Sequence, residues 1–85
     1  MNDYNELSRL PYVVSAYKNG NTVVVIVDKD LDDYDDITTL LLLDLQMPVY
    51  TNIEVCNKRL LDFDIESLEE IKFVVNQGEL IFTRE

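Results

Sequence analysis

Asn21-Thr22-Val23-Val24-Val25-Ile26-Val27-Asp28-Lys29-Asp30-Leu31-Asp32-Asp33-Tyr34-Asp35-Asp36 is the stretch on which the rest of the chain depends. The β-branched run Val23 to Val27 is too short to span a membrane and too apolar for a strand with one face in water. It predicts a central strand covered on both faces. Behind it, residues 28–36 bring six aspartates and one lysine to the mouth of a leucine-rich segment. That charge density is the most distinctive chemistry in the chain.

Upstream, Lys18-Asn19-Gly20-Asn21 contains an Asn-Gly pair, which tolerates the two positive φ angles of a type I′ turn. It predicts a hairpin with the preceding strand, Tyr12 to Tyr17. Residues 1–10 space Tyr4, Leu7 and Leu10 for one helical face, and Pro11 ends the segment. So short a helix needs the core to hold it.

Downstream, a helix is expected from Asp32 or Asp33, with Tyr34, Ile37, Leu41 and Leu45 as its stripe, Leu40, Leu42 and Leu43 widening it, and Pro48 stopping it. Val49 to Cys56 then alternates as a strand. Strand, helix and strand in succession imply a right-handed crossover and a parallel neighbour. Lys58 to Asp64 reads as a connector with Leu60, Leu61 and Phe63 tucked under the sheet edge. Ser67-Leu68-Glu69-Glu70 has the form of a capping box opening a helix through Gln77, whose inner face is Leu68, Ile71 and Val75. Gly78 suits a left-handed helix stop, and Leu80 to Thr83 is the closing strand. The expected fold is α+β, a single domain over residues 1–85: a small mixed sheet in ββαβαβ order covered by two helices, with a short N-terminal helix. Should both helices lie on one face, the other would stay apolar and a homodimer or partner would cover it.

Among 85 residues, 17 acids and 7 bases give a net charge of −10, which repels nucleic acid and membranes and favours a basic partner. The chain has one cysteine, Cys56, and no histidine. An internal disulfide and a structural zinc site are thereby excluded, and with them the commonest general base. Residues 1–6 have neither the basic nor the apolar region of a signal peptide, so a cytoplasmic location is expected.

The hairpin, the helix after an aspartate-rich turn, the capped helix and the ending Gly78-Glu79-Leu80-Ile81-Phe82 resemble minimal nucleotidyltransferase domains that act as antitoxin-type partners. That resemblance spans about residues 12–85. It implies a Gly-Ser motif after the first strand and an Asp-x-Asp pair for nucleotide and metal, yet the two carboxylate positions fall on Gly20 and Thr22 here. A member of this kind would be catalytically inactive, and no catalytic residue is carried over. In size and charge the chain is also similar to phage anti-CRISPR proteins and other DNA-mimicking inhibitors.

Asp28, Asp30 and Asp32 begin like a calcium loop, but an EF-hand counted from Asp28 would need glycine at Asp33 and glutamate at Thr39. No metal or cofactor is therefore expected. Two readings of the run remain: aspartates complementing the helix dipole, or a docking surface. A second acidic group, Asp62, Asp64, Glu66, Glu69 and Glu70, also precedes a crossover helix. In such a sheet both loops lie at the carboxyl ends of their strands, where they stay separate or merge into one negative edge. Cys56 lacks a base and reads as structural rather than nucleophilic. The functional expectation is a non-enzymatic protein that docks on a basic surface through Asp28, Asp30, Asp32, Asp33, Tyr34, Asp35, Asp36, Asp62, Asp64, Glu66, Glu69 and Glu70. The alternative is the inactive nucleotidyltransferase-like subunit.

Overall fold

The computed structural model describes residues 3–30 and 33–84, Asp3 in its backbone alone. After a 3-10 helix at Asp3–Arg9 come β1 (Val13–Asn19), β2 (Thr22–Val27), α1 (Asp35–Thr39, prolonged by a π-helical turn at Leu40–Asp44) and β3 (Asn52–Asn57). Two 3-10 turns, Lys58–Asp62 and Glu66–Leu68, then lead into α2 (Glu69–Gln77) and β4 (Glu79–Thr83). The sheet order is β3-β2-β1-β4. β1 is antiparallel to both β2 and β4, while β2 and β3 are parallel, as a crossover through α1 requires. The mixed α+β sheet and its element order agree with the expectation from sequence.

β2 is the spine. Its side chains alternate between two cores: Val23, Val25 and Val27 pack with Leu7, Ile37 and Leu41, and Val24 and Ile26 pack with Cys56, Ile71 and Val74. The α1 segment and the N-terminal 3-10 helix therefore cover one face and α2 the other. The condition under which an apolar face would call for a homodimer is not met. Val23, Val24 and Val25 are wholly inaccessible, and each such side chain contributes about 1.5–3 kcal/mol by leaving water. Leu7 is equally buried, so the N-terminal helix is held by the core as its length demands.

A bulge in β1 between Val13 and Ser15 inserts one residue against β2. The alternation is reset, so Val13 and Ala16 share the first core while Val14 and Tyr17 meet the second. Arg84 fastens this region: its Nε donates to the Val13 carbonyl at 2.9 Å, and its Nη2 donates to the carbonyls of Leu10 at 3.0 Å and Ser8 at 3.3 Å.

Several local expectations are corrected. Asn19 pairs with Thr22, so Gly20 and Asn21 are the central turn residues. Only Gly20 has positive φ, 62°, a sign pattern that belongs to a II′ turn rather than I′. α1 begins at Asp35 with Tyr34 at the N-cap, rather than at Asp33; Asp32 lies outside the described residues. Its end is widened, because Leu45 N–H donates to the Leu40 carbonyl five residues back at 2.8 Å. This wider turn swings Leu43 out of the expected stripe to 70% exposure. The helix stops before Pro48, at Asp44 with Leu45 as its C-cap, and Gln46 just beyond takes the left-handed φ of 56°. Val49 and Tyr50 are exposed in a turn, so β3 begins only at Asn52.

The capping box does not form. Leu68 N–H bonds the Ile65 carbonyl at 3.0 Å, so Ser67 already sits inside a 3-10 turn and makes no cap for α2. Nor does Gly78 take a left-handed conformation, its φ being −79°. Glycine is needed there for another reason: a Cβ would lie 2.5 Å from the Val74 carbonyl oxygen and 2.8 Å from that of Lys18.

Candidate docking site

Because β2 and β3 run parallel, the loops that leave Val27 and Asn57 emerge side by side at one end of the sheet. Hydrogen bonds join them. Asn57 Nδ2 donates to Asp30 Oδ1 at 2.8 Å, and Arg59 Nη2 reaches Asp30 Oδ1 and Oδ2 at 3.1 Å each. Asn57 is itself fixed, its side-chain oxygen accepting from Arg59 N–H at 2.9 Å, which caps the 3-10 turn after β3. The pair Arg59–Asp30 is exposed, 68% and 83%, and in that setting such a pair orients the loops more than it stabilises them.

Two predicted groups are thus brought to one edge. Asp28, Asp30, Asp33, Tyr34, Asp35 and Asp36 come from the first loop and the start of α1, and Asp62, Asp64 and Glu66 from the second; all are exposed. Segments 28–36 and 57–66 together carry nine acids against Lys29, Lys58 and Arg59. Glu69 and Glu70 occupy the first turn of α2 and are also exposed. Asp33 has a local duty as well, its Oδ1 accepting from Asp35 N–H at 2.9 Å where α1 starts. Among the described residues no three acidic or cysteine side chains are grouped so as to hold a metal ion.

Sequence reasoning missed the apolar part of this edge. Leu60 and Phe63 were expected beneath the sheet, but only Leu61 packs against the α2-side core. Leu60 is 39% and Phe63 57% exposed, and Tyr34, which shares a cleft with Leu60, is 48% exposed. Leu60 and Phe63 line a cleft of about 390 Å³ with Asp30, Asn57, Arg59 and Asp62. Tyr34 and Leu60 line an adjoining cleft of about 230 Å³ that shares Asp30 and Asn57. The signal for Arg59 and Asn57 was present: a cation just past a strand parallel to the one that feeds the aspartates. Connector residues without periodicity gave no comparable signal for Leu60 and Phe63.

Beside this edge, Lys29 Nζ stands 5.9 Å from the centroid of the Tyr12 ring. Burial, with help from the Asp36 charge, pushes the Tyr12 phenol above its ordinary pKa. Cys56 is buried under α2, and that burial raises its thiol pKa. A thiol so placed is a packing residue, as its lack of a base suggested. Tyr50 lies at the opposite end of the sheet, near the hairpin turn, where Asn52 N–H donates to the Asn21 carbonyl at 2.7 Å.

Compared with family models, with curated proteins and with solved structures, the chain matches none. Among the described residues no helix is long and apolar enough to cross a membrane.

Proposed function

We propose that the protein is a non-enzymatic binding protein whose acidic edge docks on a basic surface of a larger protein, of the kind that nucleic-acid-binding proteins present to phosphates. The observation that carries this reading is the exposure of Tyr34, Leu60 and Phe63 among the carboxylates of two loops sewn together at Asp30. Exposed aromatic and aliphatic side chains inside a charged rim have the make-up of an interaction surface, where the apolar anchors supply affinity and the rim supplies steering. An inhibitor that takes the place of nucleic acid, as anti-CRISPR proteins and other DNA mimics do, is the form of this function that a net charge of −10 suits best.

The nucleotidyltransferase-like alternative, an inactive antitoxin or complex subunit, would have Asp28 and Asp30 bind metal or nucleotide. We favour docking because the Asp30 carboxylate already accepts bonds from Arg59 and Asn57. Changing Asp35 and Asp36 together to Asn is the test. On the docking reading, association with a purified basic partner slows and its salt dependence flattens, while the fold is unharmed or gains from relieved repulsion. An unchanged association rate together with a less stable fold would reduce the aspartates to helix-start residues and overturn the proposal.

A further inference from the structure

The cleft between Leu60 and Phe63 has the chemistry to select one side chain. Leu60 and Phe63 give it an apolar side, Asp30, Asn57, Arg59 and Asp62 line the rest, and its volume is about 390 Å³. Among the described residues the Asp62 carboxylate has no hydrogen-bond or ion-pair partner. The ring of Phe63 is more than half exposed. A long apolar stem ending in a flat cation meets all three features: the stem lies along Leu60, the cation stacks on the aromatic face, and its donors fork onto a carboxylate. A guanidinium does this and an ammonium does not, since an ammonium is a compact, strongly hydrated point charge with no planar fork. Arg59 Nη2, 3.1 Å from both oxygens of Asp30, already occupies that carboxylate, which leaves Asp62 as the one open to an incoming cation.

We infer that the Leu60–Phe63 cleft receives an arginine side chain from the partner, held by stacking on Phe63 and by the carboxylate of Asp62. This inference rests on the docking reading above and sharpens it: the partner's basic surface presents arginine, rather than any cation, at this point.

Fluorescently labelled octa-arginine and octa-lysine, titrated into the full chain at about 0.15 M salt and followed by anisotropy, separate the two claims. Octa-arginine is expected to bind at least about fivefold more tightly than octa-lysine. Phe63→Ala and Asp62→Asn should each reduce that ratio to below about twofold, while Asp64→Asn, which removes the same charge outside the cleft, should leave it intact. Phe63 and Asp62 are exposed, and circular dichroism of both variants confirms that the fold is retained. Equal binding of the two peptides, or a ratio that survives Phe63→Ala and Asp62→Asn, overturns the arginine site and leaves the docking reading standing. Failure of both peptides to bind overturns the docking reading as well.

Discussion

Replacing Gly78 with alanine adds one methyl group, and its cost can be worked from the structure. The backbone there has φ −79°, which alanine adopts freely, so no conformational penalty arises. The added Cβ would stand 2.5 Å from the Val74 carbonyl oxygen and 2.8 Å from the Lys18 carbonyl oxygen. Neither neighbour is a side chain that can swing aside. Relief requires the end of α2 to separate from the end of β1, which also strains the Gly78 N–H bond to the Val74 carbonyl, 2.7 Å long. Overpacking of this sort costs about 1–3 kcal/mol, and two backbone clashes put it toward the upper end. For a domain of this size that is a fall in Tm of roughly 10–20 °C. Gly20→Ala is the comparison, because at Gly20 the φ of 62° is strained for alanine yet nothing lies within 4 Å of the new Cβ. Its cost should be the conformational one alone, about 1–2 kcal/mol. Urea unfolding of both variants checks the order. A Gly78→Ala protein as stable as wild type would refute the close approach of α2 to β1.

Gln46→Gly should raise stability by about 0.5–1 kcal/mol, read by thermal melting, because glutamine holds a left-handed φ of 56° that glycine adopts without strain. Arg84→Met keeps an apolar stem but loses both the guanidinium that stands 5.6 Å from the centroid of the Phe82 ring and its bonds to the carbonyls of Ser8, Leu10 and Val13, so a loss of about 1–3 kcal/mol is expected in urea unfolding. Burial raises the Cys56 pKa, so the native state holds that proton more tightly than the unfolded chain does. Below the unfolded thiol's pKa of about 8.5 this changes nothing, and above it stability falls as pH rises toward the raised native value. Cys56→Ser should flatten that alkaline loss in melts across the range, and the native thiol should resist alkylation until the protein unfolds.

The central strand, its hairpin and the parallel crossover were legible because periodicity reports burial, and burial in β2 is extreme. The same run hid the turn type. With Val23 to Val27 apolar on both faces, the pattern fits either register, so Asn19-Gly20 and Gly20-Asn21 both fit the turn by sequence. Packing of the bulged β1 and of Asn52 against Asn21 accompanies the second choice. Leu43 was misplaced because a helical wheel assumes a constant period, and the π turn at Leu40–Asp44 breaks it. Ser67 and Glu70 satisfied a motif that Ile65 and Leu68 pre-empted one turn earlier. At the edge, the charges were readable from composition. That Asp30 is already paired with Arg59, and that Leu60 and Phe63 face outward, depends on tertiary placement that no local pattern records.

Amide chemical-shift mapping of the labelled protein with unlabelled octa-arginine, at about 0.15 M salt, tests the docking account most directly. Shifts are expected to concentrate at residues 28–30, 33–36 and 57–66 and to shrink together as salt rises, with the hairpin turn at Gly20 and the Val49–Tyr50 turn unmoved. Shifts spread evenly over the surface, or centred on the acidic residues Glu6 and Asp44 beside Arg9, would contradict it.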